Sequence, residues 1–302
     1  MRIRSRWTKS LGITSVVLGL CAIGGGSAAA ASTKVYVADN AGRVDKLNPS
    51  TGSVSVLSDD PLLGKPGGIT VGHSGKLLVS DFDGGSHAIL RVNPSNGTVG
   101  TVTDSNKLVE PFDLAQAGSG QIYVADASAG PDARGGLFRV DPDSGKVKTI
   151  AEGKPFKNPY GVALGGHHKV YVADDKGVIF RVNTKTGAVR TLASGAPLVN
   201  PTGLEKGPDG KLYTTDYGAG PGDSGAVFRV NPKNGNVVTV RKGPPLDEMF
   251  GIDFTADGTM FFPANPDTDG ARDVYRMSSS GKGLHGFVSL NFGDPYGVAV
   301  GR

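Results

Sequence analysis

Val35-Tyr36-Val37-Ala38-Asp39 is the stretch that decides the fold, because it returns along the whole chain. A mostly apolar run that ends in Asp recurs about every 45 residues. The further copies are Leu77-Leu78-Val79-Ser80-Asp81, Ile122-Tyr123-Val124-Ala125-Asp126, Val170-Tyr171-Val172-Ala173-Asp174, Leu212-Tyr213-Thr214-Thr215-Asp216 and Met260-Phe261-Phe262-Pro263-Ala264, the last without the Asp. A repeat of this length indicates one structural unit that is used six times.

Two further elements accompany each run. A strand with one basic residue follows it, at Lys46, Arg91, Arg139, Arg181, Arg229 and Arg276. Asn-Pro or Asp-Pro often comes next, with Gly four residues after the Asn or Asp, a pattern typical of a tight hairpin. Pro-x-Gly or a variant opens another strand before each run, at Pro66-Gly67-Gly68, Pro111-Phe112-Asp113, Pro159-Tyr160-Gly161, Pro201-Thr202-Gly203, Met249-Phe250-Gly251 and Pro295-Tyr296-Gly297.

Each unit therefore holds four short strands, and no segment shows a helical period. Four-stranded units at this spacing predict an all-β fold, a six-bladed β-propeller of four-stranded blades. The repeats begin with a second strand at Val35 and end with a first strand at Gly297 to Val300. We therefore expect the C-terminal strand to join the N-terminal blade and to close the ring of blades.

Residues 1–31 have the pattern of a secretory signal peptide. Basic residues at the start precede an apolar stretch from Leu11 to Ile23 and a small-residue run from Ser27 to Ala31. We expect this segment to be removed, which leaves residues 32–302 as the propeller of a secreted, extracellular protein. Lipidation at Cys21 is an alternative, which the large Leu20 before it disfavours. No other segment has the 18 or more apolar residues of a membrane-spanning helix.

Composition excludes several classes of protein. The chain is 38% hydrophobic, which is too apolar for a disordered protein, and its single cysteine cannot form an internal disulfide. Removal of residues 1–31 lowers Lys and Arg from 32 to 28, which equals the 28 Asp and Glu. A formally neutral chain predicts no nucleic-acid partner. The expected partner is a small molecule or an extracellular or cell-surface protein, and the protein is expected to be a monomer.

Residues 34–302 resemble NHL repeats and the related propellers of the gluconolactonase and senescence-marker families. The resemblance rests on Pro-x-Gly, an apolar strand, an Asp-Gly turn and Leu-Tyr-Val-Ala-Asp, and it implies the propeller fold. Relatives of this kind include hydrolases, lyases, synthases and binding domains. The lactonase-like members hold a divalent cation at the channel mouth through Asn and Asp. Thr202 stands where their Asn would be, and Phe250 stands where their Asp would be.

Seven residues are candidates for ligand binding at the mouth of the channel. Antiparallel strands bring the start of each first strand and the end of each second strand to the same face. The candidates are Phe112, Tyr160, Thr202, Phe250, Tyr296, Glu205 and Asp253. The alternative for the aromatic residues is that they only plug the channel.

Glu205 and Asp253 stand at the same register of neighbouring first strands, where the other blades carry Thr or Ala. Two such carboxylates can share a proton, pair with Lys206 or bind Ca²⁺ or another divalent cation. They are the candidates for a metal site. The acidic loops Asp81-Phe82-Asp83-Gly84 and Asp267-Thr268-Asp269-Gly270 resemble calcium loops in composition, but they lack the full pattern and are predicted to be ordinary Asp-Gly turns. The alternative is that both side chains turn outward and are solvated or salt-bridged.

The sequence therefore predicts a secreted propeller that acts as a ligand- or protein-binding scaffold without the usual lactonase metal residues. The alternative is a divalent-metal-dependent lactonase or ester hydrolase with an altered site. No catalytic residue is identified. The repeated aspartates are predicted to cap turns through backbone N–H groups, and the repeated basic residues are predicted to be scaffold partners or solvated.

Overall fold

A computed structural model describes residues 33–82, 87–264, 273–288 and 293–301 of the chain. The chain from Thr33 to Arg302 forms one compact unit, and the expected signal peptide at 1–31 lies outside the described residues. Within the described ranges, no helix is both long enough and apolar enough to cross a membrane.

The first three sheets of the fold are four-stranded and antiparallel. Blade 1 consists of β1 (Val35–Asp39), β2 (Arg43–Leu47), β3 (Val54–Ser58) and, beside β1, β24 (Pro295–Val300). Blade 2 consists of β4 (Pro66–Val71), β5 (Leu77–Asp81), β6 (Ile89–Val92) and β7 (Val99–Thr103). Blade 3 consists of β8 (Pro111–Gln116), β9 (Ile122–Asp126), β10 (Gly136–Val140) and β11 (Val147–Glu152).

The remaining three sheets have the same order of strands. Blade 4 consists of β12 (Pro159–Gly166), β13 (Lys169–Asp174), β14 (Val178–Asn183) and β15 (Val189–Ser194). Blade 5 consists of β16 (Pro201–Lys206), β17 (Leu212–Asp216), β18 (Ala226–Val230) and β19 (Val237–Lys242). Blade 6 consists of β20 (Asp253–Phe254), β21 (Thr259–Ala264), β22 (Asp273–Ser278) and β23 (His285–Val288). Short 3-10 turns occur at Pro131–Ala133 and Pro221–Asp223.

The predicted six-bladed propeller and its closure are confirmed. The first strands β4, β8, β12, β16, β20 and β24 lie innermost, since they contact one another around the axis. β24 pairs with β1, so that Val300 lies opposite Val35 and Val298 lies opposite Val37. The two ends of the propeller therefore share blade 1, and the ring is held closed by a strand pair.

The core consists of six buried clusters, one between each two neighbouring blades. Alternate residues of a strand point to opposite faces of the sheet, so each second strand serves two clusters. Val35 and Val37 pack against blade 6. Tyr36 and Ala38 pack against blade 2. This is why the repeated run is apolar throughout and does not alternate with polar residues.

The repeated aspartates cap turns, as the sequence predicts. Asp126 is fully buried and accepts hydrogen bonds from the backbone N–H groups of Val109, Glu110, Ser128 and Ala129. Equivalent bonds to backbone N–H groups are made by Asp39, Asp81, Asp174 and Asp216. Each aspartate thereby fixes the loop that leads into the first strand of its own blade.

Blade 6 departs from this pattern. Met249-Phe250-Gly251 is predicted to open a strand, but β20 begins only at Asp253 and has two residues. The residue at the repeated Asp position is Ala264, which offers no acceptor to the loop before β20. Blade 6 therefore combines a shortened first strand with a loop that lacks the side-chain acceptor present in the other five blades.

Candidate functional site

The first strands of neighbouring blades approach each other closely at the mouth face, the end of the ring where β4, β8, β12, β16 and β24 begin. A Cβ atom added to Gly203 would collide with the carbonyl oxygen of Phe250, and one added to Gly297 would collide with that of Gly67. The Gly of Pro-x-Gly is therefore needed for this contact. The close approach also brings the side chains at the x positions together.

Five aromatic side chains form a closed circuit across the mouth. Ring centroids are 4.5 Å apart for Phe82 and Phe112, 4.0 Å for Phe112 and Tyr160, and 6.4 Å for Tyr160 and Phe250. The circuit closes with 4.2 Å from Phe250 to Tyr296 and 5.7 Å from Tyr296 to Phe82. Planes of neighbouring rings differ by 5° to 33°, so each ring is stacked on its neighbours or slightly tilted against them. We call these five residues the aromatic cap.

Two aromatic residues at the mouth were missed by the sequence analysis. Phe82 packs over Gly67, since a Cβ atom there would lie 2.9 Å from the Phe82 ring. Tyr217 lies beside the cap, with its ring centroid 6.3 Å from that of Phe250. Both follow a repeated Asp, in the two blades whose x residue, Gly67 or Thr202, is small. In these two blades the aromatic residue after the Asp replaces the one missing at the x position, and this replacement is visible in the sequence.

The mouth has an approximate twofold pattern. From blade 1 to blade 6 the x residues are Tyr296, Gly67, Phe112, Tyr160, Thr202 and Phe250, so Tyr, a small residue and Phe occur twice in that order. Blades that are three positions apart in the ring therefore carry the same type of residue at the x position, although the sequence repeat itself spans a single blade.

Thr202 does not extend the aromatic surface. Its side chain is buried, and its hydroxyl donates a hydrogen bond to the carbonyl oxygen of Met249. Thr215 accepts from the N–H of Gly203, and the equivalent Ser80 accepts from the N–H of Gly68 and donates to the carbonyl oxygen of Phe112. These hydroxyls bridge neighbouring blades, so the structure gives Thr202 a bonding partner within the scaffold. Its role in ligand binding stays a prediction.

The channel beneath the aromatic cap is narrow and lined by three carboxylates. Glu205, Asp253 and Asp113 line it. The role of Glu205 and Asp253 in binding stays a prediction. The room inside for water-sized molecules is about 40 Å³, which suffices for about three waters. Asp113 accepts from the N–H groups of Leu114 and Val162. Asp253 accepts from those of Phe254 and Val300.

Asp113 and Asp253 therefore connect first strands of neighbouring blades, since Val162 belongs to blade 4 and Val300 to blade 1. Asp113 stands where the other blades carry Gly, and it was not singled out as a site residue. Loss of hydration raises the pKa of Asp113 to about 7, and the negative charge of Asp253 adds to the shift. Asp113 is partly exposed and lines a channel with little room for water, which is why its desolvation is large.

The raised pKa values of buried aspartates predict that the protein is less stable at pH 8 than at pH 5. The pKa of Asp113 is about 7 in the folded state against 3.8 ordinarily, and desolvation also raises the pKa of Asp45. Between about pH 4 and 7 the unfolded chain gives up these protons first, so the free energy of unfolding falls as pH rises. Urea denaturation at both pH values measures this.

The matched variants for this measurement are Asp113→Asn and Asp143→Asn. Asp143 is exposed. The first substitution is expected to flatten the pH dependence, because it removes a titrating group whose pKa differs between the two states. The second should leave the dependence unchanged. If the free energy of unfolding instead rises from pH 5 to pH 8, the buried carboxyl groups do not control the pH dependence of stability.

The channel residues do not fit the divalent cation that the lactonase-like relatives carry. The hydroxyl of Thr202 is bonded to the scaffold, and Phe250 belongs to the aromatic cap. Both carboxylate oxygens of Asp253 accept from backbone N–H groups. Among the residues that the structure describes, no three His, Cys, Asp or Glu side chains are grouped so that they could hold a metal ion.

Fold and mouth together define the class of this protein, a six-bladed β-propeller with an aromatic cap over its channel. Residues 20–193 match the model of a family described as "Repeat of unknown function (DUF6923)". The match spans more than half of the chain, and the protein belongs to that family. Comparison with curated proteins finds no match.

Several solved six-bladed propellers are similar in fold. A propeller from a nidogen/laminin complex has a TM-score of 0.73 at 16% identity, over 89% of this chain and 98% of that one. A gluconolactonase from Xanthomonas campestris has a TM-score of 0.63 at 22% identity, over 77% and 80%. Virginiamycin B lyase from Staphylococcus aureus has a TM-score of 0.62 at 18% identity, over 89% and 85%. At these identities the likeness concerns the fold alone.

Proposed function

We propose that this protein is a non-catalytic binding scaffold that docks a protein partner on its mouth face. The observation that carries the proposal is the aromatic cap, a closed circuit of five neighbouring aromatic side chains. Pockets for small ligands usually enclose about 300–1,000 Å³. The room of about 40 Å³ beneath the cap is far smaller, which favours a partner that rests on the mouth over one that enters it.

The surface around the aromatic cap is suited to a protein. Aromatic residues are enriched in protein interfaces, where they contribute much of the binding energy. Tyr217, Leu62, Val109 and Val199 are exposed large apolar residues. All four stand in mouth-face loops, so they extend the apolar area outward from the cap. The nidogen/laminin neighbour, a propeller solved in a protein complex, agrees with this use of the fold.

We also propose that the scaffold is a monomer that works outside the cytoplasm. The support for secretion is the signal-peptide pattern of residues 1–31. A partner met outside the cell would be an extracellular or cell-surface protein.

The test compares protein capture by two variants that change equally exposed apolar residues. Tyr217→Ala with Val199→Ser alters the mouth face, where the side chains are 37% and 47% exposed. Val56→Ser with Val238→Ser alters outer strands, where they are 53% and 41% exposed. The wild type and the outer-strand variant should retain the same protein from an extracellular fraction of the source organism, and the mouth variant should lose it. Equal retention by both variants, or none by the wild type, would contradict the proposal.

A second candidate function is a hydrolase of the lactonase kind, favoured by the three carboxylates that line one channel. Asp113, Glu205 and Asp253 all belong to that lining. Against it stand the backbone hydrogen bonds that occupy Asp113 and Asp253 and the small room beneath the cap. The two functions differ in their response to divalent cations.

A further inference from the structure

The neutral charge of the propeller is an average over two unlike ends. The hairpin face, opposite the mouth, carries one basic residue near the end of every third strand, at Lys46, Arg91, Arg139, Arg181, Arg229 and Arg276. Its turns add further lysines, one or two in each of blades 2 to 6, at Lys76, Lys146, Lys169, Lys185, Lys211, Lys233 and Lys282. The acidic residues at this end are fewer, namely Asp141, Asp143, Glu205, Asp209, Asp253 and Asp257.

The ion pairs between described residues leave the charge of the hairpin face unneutralised. They involve Arg43, Arg134 and Lys176, all of which lie at the mouth end. Within the described ranges, no basic residue of the hairpin face is part of an ion pair. Basic side chains without acidic partners give this end a positive potential that attracts anions.

Some third-strand residues have a structural partner, which confirms the scaffold role for those positions. Arg91 donates to the carbonyl oxygen of Pro142 at 3.0 Å, and Arg276 donates to that of Pro49 at 3.4 Å, in each case in the next blade. Arg181 in blade 4 and Arg139 in blade 3 make no ion pair or hydrogen bond with any residue that the structure describes. The side chain of Arg181 lines a cleft.

The cleft in blade 4 collects three cationic side chains. Lys169, Arg181 and Arg190 line it, with Asn183 and Thr186 as further polar residues, and its volume is about 340 Å³. Arg181 and Arg190 are direct cross-strand partners of β14 and β15. Like charges directly opposite on a sheet are destabilising. An anion bound between the two guanidinium groups would offset this cost.

We propose that this cleft is a binding site for a tetrahedral oxyanion, a phosphate or a sulfate group. Guanidinium groups bind such oxygens through two parallel hydrogen bonds, and the ammonium of Lys169 adds a third positive charge. Bound anion would relieve the repulsion between Arg181 and Arg190. The site lies on the hairpin face, so it is independent of the mouth-face partner. The group can belong to a free ion or to a polyanion.

Blade 3 provides a matched control site. Arg139 and Lys148 are direct cross-strand partners there, as Arg181 and Arg190 are in blade 4. Gln121 takes the place of Lys169, and it donates to the carboxylate of Asp141 at 3.0 Å. Lys146 stands where blade 4 has Ala188, so blade 3 has as many cations as blade 4. It also has the carboxylate of Asp141, which disfavours an anion. Neutralising either pair changes the net charge of the protein equally.

The experiment is calorimetric titration with inorganic phosphate, sulfate and tripolyphosphate, at an ionic strength held constant with sodium chloride. The wild type should bind at least one of these anions, and Arg181→Gln with Arg190→Gln should weaken its binding at least about tenfold, which is 1.4 kcal/mol. Arg139→Gln with Lys148→Gln should change the dissociation constant by less than about twofold. Tighter binding of tripolyphosphate than of phosphate would indicate that the natural ligand of the cleft is a polyanion. Equal binding of the two would indicate a free ion.

Lys169→Gln keeps the proposal testable should the double variant not fold, because Lys169 is exposed and its loss spares the arginine pair. It should also weaken binding. No binding of any of the three anions by the wild type, or equal weakening by the blade 3 and blade 4 variants, would overturn the proposal.

Discussion

Removal of residues 295–302 is expected to abolish the cooperative unfolding transition. This segment contains β24, which supplies the inner strand of blade 1 and pairs with β1 along its whole length. Val298 and Val300 are buried in the cluster between blades 1 and 6, and Ala299 in the cluster between blades 1 and 2. Their loss would open the ring and expose the backbone N–H and C=O groups of β1, which are costly to leave without partners.

Circular dichroism during heating measures this effect, with removal of Arg302 alone as the control. The control protein should melt as the wild type does, while the shortened protein should show no sigmoidal transition. A truncated protein that still melts cooperatively within a few degrees of the wild type would mean that closure by β24 is dispensable. The outcome depends only on the strand pair, so it tests the ring independently of any ligand.

Asp126→Ala is expected to destabilise the protein by about 3–5 kcal/mol. The carboxylate of Asp126 is fully buried and accepts from four backbone N–H groups in two loops. A methyl group would leave those donors without an acceptor, and a buried unsatisfied donor costs about 1–3 kcal/mol. At roughly 2–4 °C for each kcal/mol, the midpoint of thermal unfolding should fall by about 6–20 °C.

Two control variants separate this capping role from a general effect of charge. Asp126→Asn keeps one acceptor oxygen, so its loss of stability should be intermediate. Asp143→Ala removes an exposed carboxylate and should change the midpoint by less than about 2 °C. If Asp126→Ala were no more harmful than Asp143→Ala, the repeated aspartates would not be what fixes the loops at the mouth.

The fold was predictable because its determinants repeat locally. The apolar run ending in Asp predicts a second strand, and the Asp itself predicts hydrogen bonds to backbone N–H groups of a loop. Both features are local, because the strand and the loop belong to the same blade. Closure of the ring was predictable from the order of the strands along the chain. The repeats begin with a second strand at Val35 and end with a first strand at Val300, and these two strands complete one blade. The exception is β20, which is shorter than predicted, in the blade where Ala264 replaces the capping Asp.

The site was less predictable, because it arises from contacts between blades. Phe82 joins the aromatic cap only because Gly67, from the same blade but a different loop, leaves room for its ring. Asp113 lies at a glycine position and bonds to Val162 of the next blade, which no local pattern encodes. The cleft at Arg181 was hidden by the neutral total charge, which averages over the two ends of the ring.

Thermal unfolding with EDTA and then with Ca²⁺, Mg²⁺, Mn²⁺ or Zn²⁺ tests most directly whether the capped channel is a closed structural element. A cation that binds the folded state at 100 times its dissociation constant adds about 2.7 kcal/mol to stability. In a chain of this size that shift is roughly 5–10 °C. We predict no shift with EDTA or any cation. A rise of that size with one cation, lost in Glu205→Gln with Asp253→Asn, would contradict the scaffold and favour a metal-dependent hydrolase.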